Sequence, residues 1–396
     1  MVVWWWDVGR PTHQITKSPN HQVFMKYYLI AGEASGDLHG SNLLKALKKE
    51  DPTATFRCWG GDLMAAAGAT LVKHYRELAF MGFLEVVKNL PTIARNFRFC
   101  KKDILDFQPD VLILIDYPGF NLRMATWAKK QGIRVFYYIS PQLWAWHTSR
   151  VKIIREAVDR MFVILPFEKD FYQKHGVEVD FAGHPLMDVI ALQGEQATDD
   201  FFEKNGLKKG KPIVALLPGS RRQEITRMLG TMLQMPALFP DYQFIVAGAP
   251  SVERSFYEPF LKQNQGVFLV ENQTYALLRH AAVALVTSGT ATLETALFNV
   301  AQVVCYRGNK LSYLLARLLV SRDLKFISMV NLLAERQLVA ELIQDDLTVE
   351  KLAAELKKLL EMETRREILE GYAEIRKRLG EPGASARVAK RMVELG

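Results

Sequence analysis

The chain has 396 residues, enough for two or three domains, and its 49% apolar and 24% charged residues are typical of a globular protein. Its three cysteines, Cys58, Cys100 and Cys305, show no paired spacing, which argues against a disulfide framework or a zinc site and favours a reducing compartment. The net charge of +8 favours anionic partners, namely nucleic acid, phosphorylated metabolites or an acidic membrane surface, without choosing among them.

The first 24 residues differ from the rest of the chain. Three tryptophans follow two valines, but the segment lacks the basic start and the apolar length of a signal peptide. Met25 precedes residues 27–31, which predict a first strand, so we expect residues 1–24 to be a tail outside the fold. No apolar run in the sequence reaches the roughly 18–20 residues of a membrane span.

A glycine-containing loop, Gly32-Glu33-Ala34-Ser35-Gly36-Asp37, follows the first predicted strand and leads into a helical pattern over residues 38–49. This layout directs backbone N–H groups at a ligand. The loop lacks the three-glycine dinucleotide fingerprint, so we predict no nicotinamide site. An ordinary connection between a strand and a helix is the alternative interpretation.

Residues 80–107 combine apolar and basic side chains. The apolar residues recur at helical spacing and include Phe83, Val86, Val87 and Leu90. Such a segment suits a membrane interface, although a helix with its apolar side on the core and its basic side in water has the same pattern. A second apolar and basic segment, 307–322, allows the same two interpretations.

Asp116 stands directly after the apolar residues 111–115, which predict a strand buried on both faces of a parallel sheet. Open α/β sheets bind ligands at the carboxyl ends of their strands. Asp116 is therefore a candidate general base, with capping of the next helix as the alternative. After the following strand, residues 140–147 form a loop rich in aromatic rings, including Trp144, which either lines a pocket or packs as an ordinary loop.

The second half restarts the alternation of strands and helices at Ile213. Gly219, Ser220 and Arg221 follow the first predicted strand of this half. An arginine on such a turn can clamp a diphosphate with paired N–H groups, because its guanidinium presents them in a fixed fork. A solvated surface arginine is the alternative.

Residues 285–294 predict the end of a buried strand, a tight turn and the start of a helix that runs to about residue 299. We expect Thr290 to cap this helix, while Ser288 and Gly289 let the backbone approach a ligand. Free N–H groups and the helix dipole then suit a phosphate. Glu294 lies on the same helix face as Thr290, where it can accept hydrogen bonds from a ribose diol. A capped helix that packs on a sheet is the alternative.

Together these elements predict an α/β protein with two Rossmann-like βαβ domains facing a cleft, at 25–187 and 188–365, followed by C-terminal helices at 366–396. A nucleotide held by the second domain and an acceptor held by the first would fit group transfer from a nucleotide-activated donor. The sequence shows no metal-ligand cluster, Asp-x-Asp pair or Walker loop, so we predict no metal and no cofactor. The charge of the leaving group would fall on Arg221 and the helix start at Thr290.

Six segments resemble the motifs of lipid-A-disaccharide synthases, in the family's order, and the resemblance runs from about Met25 to the C-terminal helices. They are AGEASGD (31–37), IDYPGFN (115–121), SPQLWAW (140–146), LPGSR (217–221), SGTATLE (288–294) and NLLA (331–334). The resemblance implies a GT-B glycosyltransferase whose C-terminal helices return to the first domain. Its reaction would join UDP-2,3-diacylglucosamine to 2,3-diacylglucosamine 1-phosphate (lipid X), giving a β-1,6-linked disaccharide and UDP.

The resemblance also implies a cytoplasmic enzyme that is peripheral on the inner membrane of Gram-negative bacteria. Because both substrates carry acyl chains, it favours the membrane interpretation of residues 80–102, with Phe83, Val86, Val87 and Leu90 facing the lipid. It leaves a homodimer open and implies no nucleic-acid partner.

The resemblance assigns roles to individual residues. Asp116 would take the proton from the acceptor 6-hydroxyl, with Glu33 and His39 as reserve candidates. The UDP-sugar site is expected to contain Arg221, Ser220, Ser288, Gly289, Thr290, Ala291, Glu294 and Asn331. The acceptor site is expected to contain Gly32, Glu33, Ser35, Gly36, Asp37 and Trp144.

Two rival interpretations remain open at this point. A UDP-N-acetylglucosamine 2-epimerase would share the nucleotide-binding half but not the segments that face acyl chains. A basic nucleotide- or RNA-binding protein fits the net charge alone, and it would need a basic aromatic stripe that the sequence does not show.

Overall fold

The computed structural model describes residues 24–78, 90–145, 148–194, 200–264, 266–308 and 325–396. Several sequence-based predictions lie outside the described residues. They are the tail apart from Phe24, the membrane-facing Phe83, Val86 and Val87, the side chain of Leu90, and most of segment 307–322. Among the helices of the described ranges, none combines the length and the apolar character that crossing a bilayer requires.

The first half of the chain forms a seven-stranded parallel sheet in the order β3-β2-β1-β4-β5-β6-β7. Its strands are β1 (Lys26–Ala31), β2 (Thr55–Gly60), β3 (Thr70–His74), β4 (Val111–Ile115), β5 (Arg134–Tyr138), β6 (Arg160–Val163) and β7 (Asp180–Phe181). Its helices are Ala34–Glu50, Asp62–Ala66, Leu90–Phe107, Pro118–Lys130, Val151–Ala157, Pro166–Lys174 and Leu186–Gly194, with 3-10 turns at Tyr75–Glu77 and Thr148–Arg150. Successive residues of β4 enter two different hydrophobic clusters, so both faces of the sheet are buried, as its five apolar residues predict.

The second half forms a six-stranded parallel sheet in the order β10-β9-β8-β11-β12-β13. Its strands are β8 (Ile213–Leu217), β9 (Gln243–Gly248), β10 (Val267–Glu271), β11 (Ala281–Thr287), β12 (Ala301–Tyr306) and β13 (Glu341–Ile343). Its helices are Phe201–Lys204, Arg222–Met232, Met235–Leu238, Arg254–Lys262, Thr274–His280, Thr290–Leu297, Met329–Ala334 and Val349–Leu359, with a 3-10 turn at Gln344–Asp346. Each sheet with its helices is called a lobe below.

Each sheet has one point at which the strand order reverses. In the first lobe this point lies between β1 and β4, whose last residues Ala31 and Ile115 are register partners. In the second lobe it lies between β8 and β11, where Leu217 pairs with Val286. The loops that leave two such strands diverge to opposite sides, which opens a crevice at the carboxyl edge of the sheet. All the predicted ligand loops except the aromatic one follow these four strands.

The last two helices belong to different lobes. Met362–Leu379 packs on the second sheet, with Tyr372 and Ile375 in its core. Ala384–Leu395 packs on Ala34–Glu50 and enters a core cluster of the first sheet. The chain turns between them at Gly380 and Gly383, which both have positive φ. Only Ala384–Leu395 therefore returns to the first lobe, whereas residues 366–379 stay with the second. The domain boundaries stay a prediction.

Asp188 fixes the start of the returning helix. Its carboxylate accepts hydrogen bonds from the backbone N–H groups of Gly383 at 2.5 Å, Ala384 at 3.0 Å and Ser385 at 2.8 Å. These are first-turn N–H groups that have no partner within the helix. An aspartate almost two hundred residues earlier in the chain therefore acts as the cap that the local sequence lacks.

Candidate functional site

Arg221 connects the two crevices. Its Nη2 atom lies 3.3 Å from Glu33 Oε1 and 3.4 Å from Glu33 Oε2, so an ion pair joins the loop after β8 to the loop after β1. Its Nη1 atom donates to Glu224 Oε1 at 3.0 Å. Arg221 is therefore not an isolated surface cation, because carboxylates from both lobes hold its guanidinium over the crevices.

The backbone at Asp116 is held in an unusual conformation. Asp116 and Tyr117 have φ values of 44° and 50°, a left-handed region that non-glycine residues seldom occupy. The carbonyl oxygen of Asp116 accepts hydrogen bonds from Asn121 Nδ2 at 2.7 Å and from the Tyr137 hydroxyl at 2.6 Å. Asn121 is fully buried and also donates to the carbonyl of Ile115 at 3.2 Å. Two buried side chains thus fix the turn that presents Asp116.

The Asp116 carboxyl group is suited to accept a proton near neutral pH. Burial, with a further contribution from the negative charge of Glu33, raises its pKa to about 7, although the N–H of Tyr117 donates to it and opposes that shift. The next helix, Pro118–Lys130, has Tyr117 as its N-cap and no side-chain cap. The alternative that Asp116 caps this helix is therefore wrong.

The other residues of the loop after β1 hold its shape. A Cβ atom on Gly32 would lie 2.3 Å from the Tyr117 ring, so a side chain at this position would displace the turn beside Asp116. Asp37 is buried, and its carboxylate accepts the N–H groups of Gly61, Leu63 and Met64 at 2.8–3.1 Å. Asp37 therefore supports the start of helix Asp62–Ala66, while its predicted contact with an acceptor stays a prediction.

Ser35, Gly36, His39 and Trp144 differ in their access to the site. Ser35 is partly exposed, whereas Gly36 is buried, and a Cβ on it would lie 3.1 Å from that of Ala31. His39 is buried, and burial lowers its pKa to about 4. Trp144 stacks edge-on against Phe167 at 5.0 Å between ring centroids, and it contacts the core of the second lobe. This position of Trp144 matches the alternative that residues 140–147 pack as an ordinary loop.

The loop after β8 is braced by Glu224. The Oε2 atom of Glu224 accepts the N–H of Ser220 at 3.1 Å, while Oε1 accepts from Arg221. Gly219 has φ 119°, and a Cβ on it would lie 2.7 Å from the Cβ of Glu224. The glycine therefore permits the turn that brings Ser220 and Arg221 to the carboxyl edge.

The helix after β11 begins one residue earlier than predicted. Its N-cap is Gly289, Thr290 is the first helical residue, and no side chain caps the helix. The expectation that Thr290 is the cap is wrong, because Thr290 already belongs to the helix and Gly289 occupies the cap position. The Thr292 hydroxyl donates to the carbonyl of Gly289 at 2.8 Å. Gly289 and Thr290 are exposed, while Ser288 and Ala291 are partly buried. Among the described residues other than its chain neighbours, none has an atom within 4 Å of the position of a Gly289 Cβ. Of the first N–H groups of the helix, that of Thr292 donates to the carbonyl of Gly289 at 3.2 Å, while within the described residues no side chain of the N-cap serves the others.

Glu294 lies one turn further along this helix and is partly buried. Burial alone raises the pKa of its carboxyl group to about 7. Within the described part of the chain, no hydrogen bond or ion pair engages that carboxyl group. It is therefore free to accept hydrogen bonds from hydroxyl groups of a ligand that sits on the helix start.

Asn331 is fully buried, and its side chain has no free hydrogen-bonding position. Its Nδ2 donates to the carbonyl of Val339 and to Glu341 Oε1, each at 2.9 Å, and its Oδ1 accepts the N–H groups of Leu338 at 2.8 Å and Val339 at 2.9 Å. The side chain thus holds the turn that enters β13. Its predicted contact with the UDP-sugar stays a prediction, and this geometry favours an indirect role.

Glu341, which the sequence analysis missed, links that turn to the loop of Ser288 and Gly289, which precedes helix Thr290–Leu297. Its carboxylate accepts the N–H groups of Ile327 and Ser328, each at 3.0 Å, and the Ser328 hydroxyl at 2.7 Å. The Ser288 hydroxyl in turn donates to the carbonyl of Ile327 at 3.0 Å. One carboxylate therefore fixes the segment against which Ser288 rests. The only signal in the sequence is an acidic residue within an apolar run.

No group of three or more histidine, cysteine, aspartate or glutamate side chains could hold a metal ion in the described ranges. A reaction without metal stays a prediction. Positive charge at the carboxyl edges comes from the Arg221 guanidinium and from the partial charge at the N-terminus of helix Thr290–Leu297.

The sequence matches one family over nearly its whole length. A family model described as lipid-A-disaccharide synthetase matches residues 27–392. A lipid-A-disaccharide synthase from Syntrophus aciditrophicus is 42% identical over 368 residues, which cover 91% of this chain and 95% of that protein. Another, from Geobacter sulfurreducens, is 38% identical over 387 residues, covering 96% of this chain and 99% of that protein.

Solved structures of UDP-sugar enzymes have the same fold. A UDP-GlcNAc 2-epimerase from Neisseria meningitidis bound to UDP-GlcNAc has a TM-score of 0.65 at 14% identity, covering 93% of this chain and 100% of that chain. The calicheamicin glycosyltransferase has a TM-score of 0.54 at 14% identity, covering 93% and 98%. At such identities the likeness shows the fold alone, and it confirms the predicted GT-B architecture.

We predict that Glu341→Gln weakens UDP binding about tenfold, because an amide NH₂ group replaces one acceptor oxygen and leaves a buried donor unpaired near Ser288. Calorimetric titration with UDP measures this change. Glu335→Gln is the matched control, since Glu335 forms only an exposed ion pair with Arg378. Equal UDP affinities for both variants would contradict the role given to Glu341.

Proposed function

The chain belongs to the family of lipid-A-disaccharide synthases and is a glycosyltransferase of lipid A biosynthesis, and from that premise we propose how its residues divide the reaction. The reaction transfers 2,3-diacylglucosamine from UDP to the 6-hydroxyl of 2,3-diacylglucosamine 1-phosphate. The predicted activity is confirmed by the family and its relatives, whereas the likeness to 2-epimerases extends to the fold alone.

The second lobe holds the donor in this proposal. Arg221 and the open N-terminus of helix Thr290–Leu297 lie on the loops after neighbouring strands β8 and β11, so both can bind one diphosphate. Ser288, braced through Ile327 and Glu341, sets the position of that helix start. Glu294 accepts from the ribose diol. The same two cationic groups stabilise the charge that develops on UDP as it leaves.

Asp116 is the general base, and its strand-end position with a pKa near neutrality is the observation that carries this assignment. Its carboxylate takes the proton of the acceptor 6-hydroxyl as that oxygen bonds to the anomeric carbon. The bond between the anomeric carbon and the UDP oxygen breaks, and UDP leaves with the electron pair. The loop after β1 lines the acceptor side in this scheme, whereas a contact between the packed Trp144 ring and the acceptor stays a prediction.

Helix Leu90–Phe107 supports the proposed attachment to the inner-membrane surface. Its apolar side packs into the core of the first lobe, where the Phe97 ring stacks at 4.2 Å on Phe120 of helix Pro118–Lys130, so the described part of the segment is a core-facing helix. Its opposite side exposes Arg95, Arg98 and the partly exposed ring of Phe99. Cations beside an exposed ring suit an anionic lipid surface. A homodimer stays open, as the sequence leaves it.

The substrate requirement tests the proposed function. We expect UDP release from UDP-2,3-diacylglucosamine only when 2,3-diacylglucosamine 1-phosphate is present, and no turnover when both sugars lack acyl chains. A coupled assay for UDP and mass spectrometry of the disaccharide measure the reaction. Efficient turnover of UDP-N-acetylglucosamine, or its epimerisation, would reject the proposal.

Asp116→Asn should lower turnover by ~10²–10⁴-fold, because an amide does not accept the proton. In the unaltered protein, the rate should rise with pH through about 7 and then level, since only the deprotonated carboxyl group acts as base. Asp110→Asn is the control at the opposite end of β4, where Asp110 accepts the N–H of Lys26. Near-normal turnover of the Asp116 variant would remove Asp116 from the mechanism.

Replacing Arg95 and Arg98 together by glutamine should weaken binding to vesicles that contain phosphatidylglycerol by about thirtyfold, at roughly 1 kcal/mol for each of the two charges. Co-sedimentation measures the bound fraction, and vesicles of phosphatidylcholine alone should show no such difference. The double change of Lys357 and Lys358, exposed on helix Val349–Leu359, is the control. If both double variants bind alike, this helix is not the membrane surface.

A further inference from the structure

Glu33 stands between the two groups to which the proposed function gives the main roles. Its carboxylate is ion-paired with Arg221, the proposed diphosphate ligand, at 3.3 and 3.4 Å. Its negative charge also acts on Asp116, the proposed base, because the loops after β1 and β4 leave neighbouring strands. No other carboxylate of the described residues has both relations.

The pair between Glu33 and Arg221 is readily exchanged. Arg221 and Glu33 are 42% and 36% exposed at their side chains, so water screens the attraction between them. A diphosphate presents more negative charge than one carboxylate and accepts the same forked N–H groups. Glu33 and a diphosphate therefore compete for Arg221.

We propose that Glu33 serves Arg221 and Asp116 in turn: a diphosphate that takes Arg221 frees the Glu33 carboxylate, whose charge then strengthens Asp116 as a base. The inference rests on the proposed function. It makes the binding of the donor in one lobe the event that prepares the base in the other. Glu33 is thus a positioning residue, which acts through its charge on Arg221 and Asp116 and not through a contact with the acceptor.

The surroundings of Asp116 allow this coupling. Among the described residues, the titratable groups near Asp116 are Glu33 from the loop after β1, Tyr117 from its own turn and Tyr137 from β5, with Arg221 behind Glu33. Burial raises the pKa values of both phenols, so they stay uncharged near neutral pH. Among these groups, Glu33 is therefore the one whose effect on Asp116 changes when a diphosphate binds, because Arg221 then no longer offsets its charge.

The test is the Glu33→Gln variant, for which the inference expects two effects of opposite sign. UDP should bind about two- to fivefold tighter, because a competitor for Arg221 is gone. Turnover should fall about threefold or more, and the midpoint of its pH profile should move to lower pH, because Asp116 becomes a weaker base. A merely structural role would weaken UDP binding and leave the midpoint in place.

Glu33→Asp separates the two effects. Its shorter side chain should release Arg221 and so tighten UDP binding, while the retained charge keeps the midpoint of the pH profile. Glu253→Gln is the matched control, since Glu253 pairs with the adjacent Arg222, and UDP binding should not change. Calorimetry with UDP and the pH dependence of turnover provide both measurements.

The outcomes distinguish this inference from the proposed function. If Glu33→Gln binds UDP no tighter, or keeps the midpoint of its pH profile, the inference is overturned while Arg221 and Asp116 retain their roles. If Arg221→Gln does not weaken UDP binding by about tenfold or more, the proposed diphosphate site itself is rejected. In an Arg221→Gln background, Glu33→Gln should no longer tighten UDP binding, and a persisting gain would overturn the competition.

Discussion

The ion pair between Arg221 and Glu33 joins the carboxyl edges of two parallel sheets, and the other site residues are arranged around it. Each partner follows the strand at which its sheet reverses order, where the loops diverge and leave a crevice. The pair itself contributes little to stability, about 1 kcal/mol or less, because both side chains are more than a third exposed. Buried packing holds the lobes, and the pair remains free to exchange partners with a ligand.

Five buried or partly buried carboxylates fall into two groups, which differ in how many hydrogen bonds they accept. Asp37, Asp188 and Glu341 each accept three or more hydrogen bonds from backbone or side-chain donors, so each fixes a turn or a helix start. Asp116 and Glu294 are partly buried with few or no such donors, and burial, together with the charge of Glu33 at Asp116, raises their pKa values to about 7. Keeping them costs folding free energy, and groups kept at such a cost concentrate at sites of function.

The sequence predicts the parallel strands and the loops after them, because buried strands of a parallel sheet are continuous apolar runs and their carboxyl ends share one edge. It does not predict which side chains hold the loops. Glu341 braces Ser288 through contacts between segments distant in the chain, and Asp188 caps a helix almost two hundred residues later. The N-cap of the helix after β11 is Gly289 rather than Thr290, a difference of one residue that lies within the usual uncertainty of a helix boundary. The roles of Glu341 and Asp188 depend on tertiary contacts that local patterns do not encode.

The two lobes are connected by two crossings of the chain that are bonded to each other. The N–H of His184, on the first crossing, donates to the carbonyl of Leu379 at 3.1 Å, and Asp188 caps the helix that begins after the second crossing. Burial lowers the pKa of His184 to about 3, so its ring stays neutral at physiological pH and adds no charge that needs a partner. These bonds join the two crossings side by side, so the covalent connections between the lobes lie at one place in the molecule. The ion pair between Arg221 and Glu33 is a second link between the lobes, and because it is exposed and weak, a ligand can displace it without disturbing the bonded crossings.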